Sequence, residues 1–231
     1  MKTIGLIGGI SWESTATYYR VINETVRARL GGLHAAQCLL WSFDFAEVEE
    51  RQQRGAWAEL TEMMIAAARR LEAGGADFAL ICANTMHRMA DEVEAALGIP
   101  LMHIADATAE AIRAAGLRKV GLLGTRYTME QDFYRARLQQ RHGLEVLIPN
   151  EADRRTVHDV IYHELCAGIV TDEARDRYRA IIGRLNAAGA EGIVLGCTEI
   201  GMLIGPADSA TPLFDTARIH AEAAVEFALA Q

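Results

Sequence analysis

Basic residues are in short supply. Against 31 Asp and Glu the 231-residue chain sets only 23 Lys and Arg, a formal net charge of -8. Nucleic acids and anionic membrane surfaces are bound by clustered Lys and Arg, so neither is an expected partner. Cysteine is scarce as well. Cys38, Cys82, Cys166 and Cys197 are too few, and too apolar in context, to form a disulfide framework in a chain this long. A reducing cytoplasm is the expected setting. Long apolar runs are missing: stretches such as MMIAAA (63–68) fall far short of the roughly 20 residues that span a bilayer. The opening MKTIGLIGGISWES has one Lys and a short apolar run, but Gly8, Gly9, Ser11 and Glu13 interrupt it and no small-residue cleavage site follows. It reads as a first strand and its turn, not a signal peptide.

Nucleotide and metal signatures are absent too. GLIGG supplies Gly5, Gly8 and Gly9 rather than G-x-G-x-x-G, and no G-x-x-x-x-G-K-[ST] occurs. Asp44, at the end of the next strand, therefore carries little weight as a ribose ligand. Among seven His, the pair His158 and His163 is five residues apart, on different faces of a helix, so no metal site is expected.

What is present is alternation. With 51% hydrophobic residues the chain can bury one large core or two small ones. Short apolar runs read as strands: TIGLIG, CLLWSF, DFALICA, PLMHI, KVGLLG, EVLI, GIVLGC and PLFD. Between them, segments such as 14–30, 57–73, 129–141 and 173–188 carry apolar positions at helical spacing. Strands alternating with helices predict parallel sheets covered on both faces.

The pattern repeats. GLIGG at 5–9 returns as GLLGT at 121–125, a shift of 116. RLEAGGADFALICA at 70–83 returns as RLNAAGAEGIVLGC at 184–197, a shift of 114 with five identities in fourteen positions. IPLM at 99–102 matches TPLF at 211–214, and AEA at 109–111 recurs at 221–223, a shift of 112 for both. The chain is accordingly expected to be α/β, with two similar units of four parallel strands flanked by helices. The alternative is one larger doubly wound sheet. The repeat also sets a register, in which Cys197 corresponds to Ala83 and Cys82 to Gly196.

Three stretches carry candidate chemistry. GLIGGISWES places backbone N–H groups at the carboxyl end of a strand and the start of a helix, where an anion can be held. Thr125 sits in the matching turn of the second unit. Glycines serving only a tight turn are the plainer reading. ICANTMH (81–87) gathers Cys, Asn, Thr and His at a strand end. GCTEIG (196–201) is sharper, since a thiol at a strand end facing a helix start is expected to have its pKa lowered by the helix dipole and free N–H groups. Cys38 inside a strand and Cys166 inside a helical pattern read as inert core residues. His87, near this site, and His103 read most simply as satisfied structural residues.

Together GLIGGISWEST, ANTMH, GLLGTRYTMEQDFYR, GCTEI and PLFDTARIHAEAA resemble the aspartate/glutamate racemase superfamily, in particular its bacterial broad-specificity amino-acid racemases. The resemblance covers essentially the whole chain, and the tandem of xNT and GCT motifs is its specific part. It implies two pseudo-twofold-related domains, 1–102 plus 214–231 and 103–213, with an active site in the interdomain cleft. It further implies a small amino-acid substrate, no pyridoxal phosphate or other cofactor, no metal, and a homodimer. The chemistry implied is removal of the α-proton by one residue and its return from the opposite face by another. The second base is then Cys197. Asn84, Thr85 and Thr198, with the turns at Ile10–Ser11 and Thr125, would hold the α-carboxylate and amino group. Facing groups with pKa values near the working pH suit this reaction, and backbone N–H, Asn and Thr donors would stabilise the enolate-like charge.

Two departures stand out. The position matching the family's first catalytic residue is Ala83, which carries no proton, and the neighbouring Cys82 would point to the other face of a regular strand. The options are an impaired racemase, a relay through water, Thr85 or His87, a kinked strand that brings Cys82 in, or a one-cysteine decarboxylase. An amino-acid binder without catalysis is a further alternative. Second, members selective for acidic substrates carry Arg and Lys where the side-chain carboxylate binds, and the matching positions here are Gln52 and Cys166. Without those cations bidentate recognition of a second carboxylate is lost. Neutral polar or small side chains are therefore expected to be preferred, unless Arg51 and Arg54 compensate.

Overall fold

A computed structural model describes residues 1–230. It divides into two units, one comprising Met1–Ile104 and the chain from His220 onward, the other Ala105–Ile219.

In the first unit, β1 (Ile4–Gly8), β2 (Cys38–Ser42), β3 (Phe78–Ile81) and β4 (Leu101–Met102) form one sheet in the order β2-β1-β3-β4. All three pairings are parallel. The second unit repeats the plan, with β5 (Lys119–Gly124), β6 (Glu145–Leu147), β7 (Gly192–Gly196) and β8 (Leu213–Asp215) in the order β6-β5-β7-β8, again all parallel. Every residue of β1, β3 and β7 is buried, as strands covered on both faces must be. The edge strand β2 is only half-covered, and Leu40 is exposed on it. The eight strands match the eight apolar runs.

Helices fill the intervals: α1 (Trp12–Leu30), α2 (Phe45–Arg54), α3 (Trp57–Ala73), α4 (Ala90–Ala95), α5 (Ile104–Ala114) and α6 (Arg126–Glu130). They continue with α7 (Asp132–Ala136), α8 (Glu151–His163), α9 (Asp172–Ala187), α10 (Ile200–Leu203) and α11 (Thr216–Leu229). No described helix is long and apolar enough to cross a membrane. Short polar side chains start many of them. Asp44 accepts from the Ala46 N–H, and Asn150 and Thr171 cap α8 and α9 in the same way. Asp44 thus has a structural task.

The structure departs from the sequence reading in three places. The single helix expected over 129–141 is broken, because Gln131 takes an extended conformation (φ -88, ψ 153) between α6 and α7. Cys166 is not inside a helix. α8 ends at His163, and Cys166 sits half-buried in the short 3₁₀ turn Leu165–Ala167. Finally, Phe214 and Asp215 pair with Val194 and Leu195, so the strand holding position 214 belongs to the second sheet. The return to the first unit comes inside α11, at His220.

Candidate active site

In each unit the groups in question collect at the carboxyl ends of the two central strands. In the first, β1 runs into a turn that only glycine can make: Gly9 has φ +78, and a Cβ there would stand 2.3 Å from the Phe43 carbonyl oxygen. Thr15, one turn into α1, ties this loop down. Its hydroxyl accepts from the Gly9 N–H at 2.8 Å and donates to the Ser11 carbonyl at 2.9 Å. Ser14 donates to the same carbonyl at 3.0 Å. Ile10 and Ser11 are thereby fixed and buried. Thr15 was not singled out from sequence, and its only signal there is its place one turn into the helix that follows the glycines.

Beside this turn β3 ends in Cys82, Ala83, Asn84 and Thr85. The ladder continues one step past the strand, with the Cys82 N–H donating to the Ile7 carbonyl at 2.9 Å. Side chains alternate through this stretch. Ala79, Ile81 and Ala83 join Ile7, Met64 and Ala67 in one apolar cluster against α3. Phe78, on the other face, meets the ring of Phe227 in α11 at 4.8 Å. Cys82 shares the Phe78 and Leu80 side of the strand and is fully buried. Burial, reinforced by the charge of Cys38, pushes its thiol far above the ordinary cysteine value. Ala83 presents a methyl group, 4% exposed, where the duplication places the counterpart of Cys197.

His87 has a defined tautomer. Its Nε2 accepts the Ile104 N–H at 3.2 Å, so the proton resides on Nδ1, which donates to the Ala83 carbonyl at 2.8 Å. With both ring nitrogens bonded to backbone and only 2% of the residue exposed, His87 braces the turn after β3. It packs on His103, centroids 4.4 Å apart. His220 lies 5.9 Å away and bridges the Tyr18 hydroxyl (2.9 Å) and the Met102 carbonyl (3.0 Å).

The second unit is built on two close-packed glycines. A Cβ on Gly124 would lie 2.7 Å from the Gly196 carbonyl oxygen, and one on Gly196 would lie 2.8 Å from the Leu123 oxygen. The tight approach of β5 and β7 sets Thr125 and Cys197 side by side at the strand ends. Thr125 caps α6, its hydroxyl accepting from the Thr128 N–H at 3.3 Å. Cys197 is 8% exposed, and its Sγ donates to Oε2 of Glu199 at 2.9 Å. Thr198 donates to the same oxygen at 2.8 Å. The thiol pKa, expected to be lowered here, is instead raised well above the ordinary value. Desolvation is the first cause, then the charges of Glu199 and Cys166 and the hydrogen bond to Glu199. The helix that follows is a four-residue piece, too short to offset a buried carboxylate next to the sulfur. Glu199 was visible as the fourth residue of GCTEIG, but its fold-back onto the sulfur was not.

The register confirms the correspondence of the two strand ends. Ile7 pairs with Ile81 in one sheet and Leu123 with Leu195 in the other. Ala83 and Cys197 each lie two residues beyond these pairs.

The candidate specificity positions fall near their own strand ends. Gln52 is buried on α2, its amide donating to the Met86 sulfur at 3.4 Å. Cys166 is close enough to Cys197 to influence its ionisation. Arg51 and Arg54, which could supply a missing cation, are both engaged elsewhere. Arg51 donates to the Glu47 carbonyl at 2.7 Å and pairs with Glu59 at 3.2 Å. Arg54 pairs with Glu50 and Glu59 at 3.5 and 3.6 Å.

Two four-stranded parallel sheets of the same strand order, each flanked by helices, define the chain as a duplicated α/β protein. It belongs to the Asp/Glu/hydantoin racemase family, whose profile matches residues 7–224. Over 175 residues, 74% of either chain, it is 25% identical to the broad specificity amino-acid racemase RacX of Bacillus subtilis. Among solved structures, a candidate Asp/Glu racemase from Yersinia pestis matches with a TM-score of 0.92 at 53% identity, covering 100% of both chains. An aspartate racemase homologue from Pyrococcus horikoshii OT3 matches with a TM-score of 0.85 at 35% identity over 99% of each chain.

Proposed function

We propose that the chain moves the α-proton of a small amino acid without pyridoxal phosphate, and that Cys197 is its one competent acid–base side chain. The observation that carries this is the pair of equivalent strand ends, one with a hydrogen-bonded thiol at Cys197 and the other with the methyl group of Ala83. A full two-base racemase needs a group on each face of the planar intermediate. Here one face has a thiol and the other has none, so proton exchange outpaces inversion. Asn84, Thr85, Thr125, Thr198 and the Ile10–Ser11 turn hold the α-carboxylate and amino group, where their donors stabilise charge as it develops.

Gln52 and Cys166 stand where a second carboxylate would need cations, and Arg51 and Arg54 are held by surface acids. Neutral polar or small side chains are therefore preferred over aspartate and glutamate. A turnover assay showing clear preference for aspartate over homoserine would overturn this.

The single thiol and its raised pKa also favour a second reading, a decarboxylase in which Cys197 protonates the enolate left by an activated malonate. One experiment separates the readings. Each enantiomer of several amino acids is incubated in D2O and loss of the Cα–H signal is followed by NMR. Exchange from one enantiomer, with slow inversion, is the expected result. Binding without exchange would indicate a binder, and carbon dioxide release from malonates without exchange would indicate the decarboxylase.

A further inference from the structure

The sulfur of Cys197 has an immediate proton partner. Glu199 Oε2 lies 2.9 Å from Sγ, is 2% exposed as a residue, and receives a second hydrogen bond from Thr198 at 2.8 Å. Sulfur is the donor on this contact and the carboxylate oxygen the acceptor, so the proton belongs to sulfur at rest. Other titratable groups around the thiol in the second unit are Cys166, in the turn after α8, and Tyr178 on α9. Tyr178 donates to the Val157 carbonyl at 3.1 Å and so offers no hydrogen to the sulfur. Among the described residues, Glu199 brings a carboxylate oxygen within hydrogen-bond distance of Sγ.

We infer that Glu199 is a catalytic residue: it keeps Cys197 in the thiol form at rest and takes the thiol proton when Cys197 acts as a base. The inference rests on the proposed proton-transfer function. In the forward step the S–H bond breaks and an O–H bond forms on Glu199. The freed sulfur lone pair takes the α-hydrogen, forming a new S–H bond. The C–H electron pair stays on the substrate, delocalised into its carboxylate. Reprotonation runs the same steps backwards and returns Glu199 to its ionised form. Burial of sulfur alone would disfavour the thiolate, and the adjacent carboxylate resolves this by making transfer local, with no net charge created at the pair. The arrangement explains why a thiol with a raised pKa can still act as a base.

The test is Glu199→Gln, which keeps size and hydrogen-bond acceptance but removes the charge and the proton-accepting capacity. Two readouts are expected to move in opposite directions. Iodoacetamide alkylation of Cys197, followed by mass spectrometry of the peptide across pH, shifts to lower pH, because the thiolate no longer faces a negative charge. A shift of one pH unit gives about tenfold faster labelling at fixed pH. Exchange of the α-hydrogen in D2O falls by about a hundredfold at neutral pH, within the range seen for general acid–base groups, and recovers partly as pH rises. Glu199→Asp retains the charge and should keep the alkylation profile near that of the unaltered protein. An unshifted alkylation profile in Glu199→Gln, or exchange as fast as before, overturns the inference. A shifted profile in a protein that exchanges no amino acid before mutation overturns the functional reading instead, while upholding the thiol–carboxylate coupling.

Discussion

Placing a thiol at position 83 should convert a lopsided site into a two-base one. Ala83 is 4% exposed, and its methyl group belongs to the apolar cluster with Ile81 and Met86. The added sulfur must therefore fit against packed neighbours, at a cost of about 1–3 kcal/mol for overpacking. For a chain of this size each kcal/mol lowers the melting temperature by about 2–4 °C, so a loss of less than about 12 °C is expected. The backbone needs no rebuilding, since His87 already fixes the Ala83 carbonyl through its Nδ1–H. In return the second face acquires an acid–base group, which contributes about a hundredfold to ten-thousandfold. At 1.36 kcal/mol per decade this is about 3–5 kcal/mol off the barrier to inversion. The assay is racemisation of homoserine, serine and alanine by chiral chromatography, comparing Ala83→Cys, Ala83→Thr and the unaltered chain. Inversion should rise toward the rate of α-hydrogen exchange, which itself changes little. Cys82→Ala serves as the control, because that thiol lies on the opposite face and is fully buried. It should leave both rates unchanged. A folded Ala83→Cys protein that inverts no faster, or a Cys82→Ala protein that loses exchange, would show that the register of β3 is misassigned.

Other substitutions test the scaffold. Gly9→Ala forces a side chain at φ +78 to within 2.3 Å of backbone at Phe43, so it should cost at least ~2 kcal/mol, read as a lowered urea midpoint; an unchanged midpoint would mean the turn relaxes freely. His87→Ala leaves the Ala83 carbonyl and the Ile104 N–H without their buried partner, a loss of about 3 kcal/mol that urea denaturation should show, with exchange surviving wherever the protein stays folded. Asp106 is the third case. Burial works to raise its pKa, but hydrogen bonds from Arg137 (2.7 and 2.6 Å) and His142 (2.9 Å), with their charges, hold it below the usual carboxylate range. A lowered folded pKa means its contribution is complete above the unfolded value near pH 4 and is lost as pH falls through the folded one. Asp106→Asn should therefore be less stable at pH 6, by about 1–2 kcal/mol given the partial exposure of the carboxylate, and should show a shallower decline in urea midpoint between pH 5 and 3. Parallel pH curves for the two proteins would refute this.

The central strands were legible in the sequence for one physical reason. Parallel strands covered on both faces must be apolar throughout, and β1, β3 and β7 are buried at every position. The alternation that groups Ala79, Ile81 and Ala83 in one apolar cluster followed from strand geometry alone. What stayed hidden depends on contacts remote in sequence or on side-chain torsions. The break at Gln131 is a backbone choice that no proline or glycine announces. The ionisation of Cys197 was misjudged because the helix dipole is a local rule, whereas Glu199 reaches the sulfur only through its own rotamer. The structural role read for His87 had no partner visible in the sequence, because the Ile104 N–H on its Nε2 lies 17 residues away in the chain.

The asymmetry of the two strand ends extends into the layer behind them. Within the first unit, His87 spans from the Ala83 carbonyl to the Ile104 N–H, locking the turn after β3 to the start of α5. Under the repeat, positions 87, 103 and 104 correspond to 201, 215 and 216. Those are Gly201, Asp215 and Thr216, and the bracing is different. A Cβ on Gly201 would lie 2.6 Å from Oδ2 of Asp215, while Thr216 donates to the Leu195 carbonyl at 2.8 Å. Thus one unit fills the space behind its strand end with an imidazole, the other with a carboxylate and a hydroxyl. Both His87 and Thr216 bond to backbone, at the Ala83 carbonyl and Ile104 N–H in one unit and at the Leu195 carbonyl in the other. Chemistry at the two positions is therefore set by the residue itself and its immediate followers, Asn84–Thr85 in one unit and Thr198–Glu199 in the other. A thiol at 83 would lack any counterpart of Glu199, since the matching position is Thr85. Its pKa should then be free of a neighbouring carboxylate, and the inversion rate of Ala83→Cys should rise at lower pH than the alkylation of Cys197. Coincident profiles would mean that the two thiols share one environment after all.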